Sequence, residues 1–198
     1  MCVRFNISLT SGDAELEEII AEANRRLRIL AGGGAVAVGD VLPSLTAAAL
    51  AAGRNGTGAF PMIWGFRRYD GKGLVVNARS ETALEKPMFR QSMLERRCLI
   101  PASCYYEWEK REEGKIKYAI RPREPGRIYL AGIYRYEEDR KLPVFTVLTC
   151  DSAAEIAFIH DRMPVIFMEK DRDAWLDRRQ DPEKLLRNRN VRMEFRPA

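Results

Sequence analysis

The stretch from residue 62 to residue 149 constrains this chain most, because it is built almost wholly of short β-branched and aromatic runs. Residues 62–66, 74–76, 98–100, 104–108, 116–120, 128–134 and 144–149 are each too short for a stable helix. Asp70-Gly71, Glu113-Gly114 and Pro125-Gly126 separate them with turn chemistry. Runs of this kind, with few helices between them, do not give the strand–helix alternation of a parallel doubly wound sheet. They imply an α+β fold: a mainly antiparallel, partly barrel-like sheet flanked by helices.

The clearest helix is expected over 13–30. Ser11 or Asp13 can cap it, glutamates fill its first turns and arginines its last, which suits the helix dipole. Leu16, Ile19, Ile20, Ala23 and Leu27 fall on one face, and Gly32-Gly33-Gly34 stops it. That triplet follows a helix instead of opening one, so it is no phosphate loop. Shorter helices are expected at 86–97, 152–159 and 171–179, and the alanine-rich 46–52 reads as a short helix or a buried loop. A chain of 198 residues with 46% hydrophobic and 31% charged side chains can bury roughly 70% of its unfolded surface, so one domain over 1–198 is expected.

No apolar run approaches the ~18 residues of a spanning helix, and the start lacks a signal peptide's apolar core. A cytoplasmic protein, with no membrane partner, is expected. Lys and Arg exceed Asp and Glu by 33 to 28, which permits an anionic partner without proving one. Seven basic against three acidic residues lie in 178–196, a local +4 that reads as a solvated helix face with a basic tail. One histidine, and four cysteines (2, 98, 104, 150) without a CxxC pair, argue against a zinc site, and no metal is expected.

The chemistry-bearing positions are few. If Met1 is removed, Cys2 carries an α-amine (pKa about 7.7–8.0) beside a thiol (about 8.5), a 1,2-aminothiol able to close an aldehyde into a thiazolidine. His160, in Ile159-His160-Asp161-Arg162-Met163-Pro164, is the only side chain whose ordinary pKa lies near neutrality. Glu107 lies in Tyr105-Tyr106-Glu107-Trp108, where strand alternation puts Tyr105 and Glu107 on one face and Tyr106 and Trp108 on the other. Asn77 closes an apolar run, a place where an Asn more often makes a turn than binds an amine.

Taken together, Met1-Cys2-x-Arg4-Phe5, Trp64-Gly65-Phe66, Asn77-Ala78-Arg79-Ser80-Glu81-Thr82 and Glu85-Lys86-Pro87-Met88-Phe89-Arg90 resemble successive blocks of the SOS-response-associated peptidase (SRAP) family. So do the blocks that begin at Arg97, Tyr106, Ala131, Phe145 and His160, in the family's order over about 1–177. The resemblance implies a sensor of abasic sites in single-stranded DNA and at single-strand/duplex junctions that needs no cofactor and acts as a monomer. It implies Cys2 as nucleophile, Asn77 orienting its amine, Glu107 shuttling protons, and His160 promoting sugar ring opening. Arg4, Arg79 and Arg162 would hold phosphates, Pro43 and Trp64 would support or wedge apart the bases, and Thr149 would add a backbone contact. It also implies self-removal of Met1. A peptidase acting on other peptides, or a non-covalent single-strand or junction binder, are the alternatives. The chain departs from the family's pattern at Val3 and Cys104, where glycine is usual, and in a shorter 67–73 loop without a second tryptophan. Cys104 is expected to bring an extra thiol near Glu107.

Overall fold

The computed structural model describes residues 2–9, 13–54, 56–187 and 191–198. In chain order it runs β1 (Phe5–Ile7), α1 (Ala14–Ala31), β2 (Gly39–Val41), β3 (Thr46–Gly53), β4 (Gly56–Trp64), β5 (Phe66–Arg67), β6 (Leu74–Val75) and β7 (Asn77–Arg79). Then come α2 (Pro87–Glu95), β8 (Arg97–Ala102), β9 (Cys104–Arg111), β10 (Gly114–Pro122), β11 (Ile128–Arg135) and β12 (Val144–Asp151). The chain finishes with β13 (Arg162–Pro164), β14 (Ile166–Met168), α3 (Arg172–Leu176), α4 (Pro182–Leu186) and β15 (Met193–Pro197).

The larger sheet closes on itself. Strand β4 pairs with β3, β3 with β8, β8 with β11, β11 with β12, and β12 returns to β4 in parallel, the remaining pairs of that ring being antiparallel. Beyond the ring, β12 runs on between β7 on one side and β13 on the other. A second, antiparallel sheet has the order β15-β10-β9-β1-β2. Mixed, mostly antiparallel sheets with few helices are what the short runs predicted.

Helix α1 lies against β3 and β4 with Leu16, Ile19, Ile20, Ala23 and Leu27 buried, the predicted stripe. Asp13 caps it, accepting from the Leu16 N–H at 3.2 Å, and Gly32 ends it in the left-handed conformation; Ser11 lies outside the described residues.

Other elements differ from expectation. Residues 46–52 belong to strand β3, not to a helix or loop. Alanine's helix propensity amounts to a few tenths of a kcal/mol, and pairing on both edges with β4 and β8 overrides it. Residues 152–159 supply only a 3-10 turn, Ala154–Ile156. The basic segment after 178 supplies the short helix α4, with Glu183 and Lys184 exposed as expected, but in place of a free tail it ends in the edge strand β15. Arg97 is buried and donates to the carbonyls of Met93, Trp175, Asp177 and Gln180, fastening α3 and its following turn to β8. Among the described residues no helix is long and apolar enough to cross a membrane.

Candidate active site and nucleic-acid face

Strand β1 lies between β2 and β9, with Phe5 opposite Tyr105 and Asn6 opposite Cys104. This register carries the N-terminal residues alongside 105–107. Cys2 is fully buried, and its thiol points at the Arg4 carbonyl at 3.8 Å. Across from it, Asn77 at the start of β7 donates from Nδ2 to the Cys2 carbonyl at 2.8 Å. The Asn77 Oδ1 is buried without a hydrogen-bond partner among the described residues.

Alternation in β9 runs as the sequence suggested: Tyr105 and Glu107 are buried, while Tyr106 and Trp108 are half-exposed on the other face. Burial pushes the Cys2 thiol well above its ordinary range, and the Glu107 carboxylate adds to the rise. The sulfur is therefore held as a neutral thiol, so a proton acceptor is needed before it can attack. Glu107 supplies a carboxylate on the same side of the strand. Tyr105, which carried no role in the sequence reading, brings a buried hydroxyl to this face; the alternation that located Glu107 also locates it. Cys104 corrects another expectation: it lies on the face opposite Glu107, where it bonds the Tyr106 side chain.

His160 follows the Ala154–Ile156 turn, and Ile156 and Ile159 anchor it in the core. Its Nδ1 lies 3.0 Å from the Arg162 backbone N–H and 2.7 Å from the Asp161 carboxylate. One ring nitrogen cannot accept and donate at once. Asp161 is 85% exposed and competes with water, so the backbone contact makes Nδ1 the acceptor, and Nε2 carries the proton of the neutral ring. Phe158 packs against Tyr118, with ring centroids 6.0 Å apart, and Tyr118 is the β10 register partner of Glu107. Phe195 of β15 closes this aromatic group, 5.1 Å from Phe158. The loop that carries His160 thus rests on the strand next to Glu107.

The six expected DNA-side residues separate into three groups. Arg4 is half-exposed, 3.6 Å from Asp40 and 5.4 Å over the Trp108 ring, and Arg79 is exposed with no ion pair among the described residues. Pro43 sits in the β2–β3 turn between the exposed Leu42 and Leu45, with Ser44 at φ 74°. The other three are not available as expected. Trp64 is 0% exposed; its Nε1 donates to the Val76 carbonyl at 2.9 Å, and its ring packs on Phe5 and Phe145. With no free face, it is a core residue and no base support. The neighbouring Gly65 has φ 117°, and a Cβ there would meet Leu74 at 2.9 Å, which accounts for glycine after the tryptophan. Thr149 is buried, and its carbonyl already accepts from Arg162 at 2.8 Å. Arg162 is engaged by Glu81 at 2.8 and 2.9 Å and by Asp151, so its guanidinium is neutralised from within.

Among the described residues, no group of three or more His, Cys, Asp or Glu side chains is placed to hold a metal ion.

The sequence model for "SOS response associated peptidase (SRAP)" matches residues 1–197. The chain belongs to this family. Within it, the chain is 35% identical to "Abasic site processing protein YoqW" of Bacillus subtilis over 116 residues, covering 56% of this chain and 52% of the relative. It is 31% identical over 125 residues to "Abasic site processing protein HMCES" of Gallus gallus, covering 51% and 37%. The chain therefore spans about half the length of YoqW and less of HMCES. A crystal structure of a Bordetella bronchiseptica protein superposes with a TM-score of 0.74 at 20% identity, covering 100% of this chain and 99% of that one. One from Bacteroides thetaiotaomicron gives 0.72 at 19%, covering 100% and 92%. These two share the SRAP fold of this chain.

Proposed function

We propose that this SRAP-family chain processes abasic sites in DNA, and that it does so by capturing the lesion covalently through Cys2 once Met1 has been removed. Met1 itself lies outside the described residues. The observation that carries the reading is the joint placement of Cys2, Asn77 and Glu107: a buried thiol, a side-chain amide bonded to the same residue's carbonyl, and a buried carboxylate on one face. Relatives named as abasic site processing proteins support the substrate class.

The chemistry follows from the aminothiol. The freed Cys2 amine adds to the C1 aldehyde of the ring-opened sugar, and the carbinolamine loses water to give an imine. The thiol then adds across the C=N bond, its proton passing to the nitrogen by way of Glu107, and a thiazolidine results; the net by-product is one water. Asn77 orients the amine, its Oδ1 being a buried acceptor close to where that amine would lie. His160 assists ring opening. Arg4 and Arg79 bind phosphates of single-stranded DNA or of a junction without reading sequence, and the apolar tip Leu42-Pro43-Ser44-Leu45 supports unpaired bases. The same pocket removes Met1, and the protein works in the cytoplasm as a monomer, associated with DNA in the damage response.

A denaturing-gel or mass-shift assay with an oligonucleotide containing one abasic site tests this. Wild type is expected to give a stable adduct and Cys2→Ala none. Glu107→Gln is expected to slow adduct formation, and His160→Ala to slow it or its reversal, by about 10²-fold or more for a true proton-transfer group. Equal adduct from Cys2→Ala would sink the mechanism.

A further inference from the structure

Tyr105 occupies the centre of β9 with its side chain wholly buried, yet its hydroxyl has no hydrogen-bond partner among the described residues. A buried, unsatisfied hydroxyl costs free energy, and folded proteins keep few of them. A phenylalanine in the same place would bury the same ring at no such cost. The hydroxyl's ionisable neighbours are Cys2 and Glu107 of the candidate site and Cys150 of β12. Phe5, its register partner, leads three residues back to Cys2. Burial, with Cys2 and Glu107 adding to it, pushes the phenol well above its ordinary range, so it stays a hydrogen-bond donor throughout the range in which carboxylates and imidazoles titrate.

We propose that Tyr105 is a further catalytic residue of this chain, whose O–H donates a hydrogen bond to the C1 oxygen of the captured aldehyde. As the Cys2 amine adds, the C=O π bond breaks and negative charge builds on that oxygen. The Tyr105 O–H stabilises the charge and then holds the same oxygen while it leaves as water, carrying the two protons that the amine sheds on becoming an imine. Tyr105 itself gains and loses no proton. A preformed donor in a water-poor pocket is worth most at the moment charge develops, because no solvent has to reorganise. The hydroxyl thus finds its partner only in the complex, which explains why it is unsatisfied without one. This inference rests on the proposed abasic-site capture at Cys2.

The test is Tyr105→Phe, read in three ways. Adduct formation on an abasic oligonucleotide is expected to slow by about tenfold, the size of one charge-assisted hydrogen bond. Affinity for an oligonucleotide carrying a tetrahydrofuran abasic analogue, which has no C1 oxygen to receive the bond, is expected to stay within about twofold of wild type. The Tm of the DNA-free variant is expected to rise by about 2–4 °C, since an unsatisfied group has been removed. Wild-type kinetics in Tyr105→Phe overturn the inference. So does a fall in its Tm, which would mean the hydroxyl is already bonded in the free protein. If wild type itself forms no adduct, the reading of the whole site fails, and the inference with it.

Discussion

Strands β7 and β13 flank the far end of β12 and make an instructive pair. Each is three residues long and each carries one arginine that the family resemblance marks for phosphate binding; β7 also carries Asn77, and β13 begins two residues after His160. On β7, Arg79 lies opposite Thr149 and stands in solvent with no ion pair among the described residues, while Asn77 holds the Cys2 carbonyl. On β13, Arg162 lies opposite Asp151 and is turned inward, bonded to Glu81, Asp151 and the Thr149 carbonyl. Partial desolvation works to weaken the charge on Arg162, but the hydrogen bonds it donates to Glu81 outweigh it and the guanidinium's pKa is raised. One arginine therefore keeps its charge in solvent, and the other uses it to bind the Ser80–Thr82 3-10 turn to β12 and β13. The fixed Arg162 backbone then donates to His160 Nδ1, so its contribution to the site runs through position, not through phosphate.

The sharpest way to break this contrast is to remove each arginine and measure Tm. Arg162→Ala leaves the Thr149 carbonyl without its donor and strands Glu81 and Asp151 as adjacent carboxylates. A loss of about 1–3 kcal/mol is expected, or about 3–9 °C in Tm for a chain of this size. Arg79→Ala should move Tm by about 1 °C or less, as exposed substitutions do. Equal losses from the two would erase the distinction.

The second measurement reverses the ranking. For a non-reactive single strand, Arg79→Ala should lower affinity by about 3–10-fold and reduce the slope of log K against log salt by about 1, the signature of one lost phosphate contact. Arg162→Lys keeps the charge and most of the ion pairing, and is expected to leave the slope unchanged. A fall in slope for Arg162→Lys equal to that for Arg79→Ala would show that Arg162 exchanges its carboxylates for phosphate when DNA binds.

The same contrast shows where sequence reasoning reaches and where it stops. Helix α1 was legible because its stripe, cap and glycine stop all lie within one 20-residue window, and β8, β11 and β12 because their apolar runs are buried on both faces. Strands β1, β7 and β13 were not, since three residues carry no periodicity and only their neighbours make them strands. Alternation alone puts Glu107 on one face with Tyr105, but that this face is the buried one is set by packing. The burial of Trp64 and the ion pairs of Arg162 depend on Phe145 and Glu81, each about 80 residues away, and nothing local announces them. The chain's last strand illustrates the same limit: among the described residues the charges of the +4 segment are solvated as read, but nothing local announces that Met193 is buried or that Phe195 packs against Phe158 beside the His160 loop.

The smallest expected effect is also the most specific to the Arg162 arrangement. Desolvation acts to raise the Glu81 carboxyl, but the Arg162 hydrogen bonds outweigh it, and its pKa is lowered from the ordinary 4.5. A carboxyl lowered in the folded state binds protons less readily there than in the unfolded chain. Its contribution is therefore fully present above pH 4.5 and is lost as pH falls through the folded value. Glu81→Gln removes that dependence. Because the Glu81 side chain is 45% exposed and screened by solvent, the difference is expected to be small: wild type more stable than Glu81→Gln by less than about 3 °C near neutrality, converging with it as pH falls below the ordinary carboxyl value. Arg79 also lowers the Glu81 carboxyl through its charge, as the smallest of the causes, so Arg79→Ala should narrow the acid dependence of wild type only slightly and far less than Glu81→Gln does. A gap between wild type and Glu81→Gln that stays constant on acidification would assign the stabilisation to packing of the side chain, and would remove the electrostatic half of the contrast between the two strands.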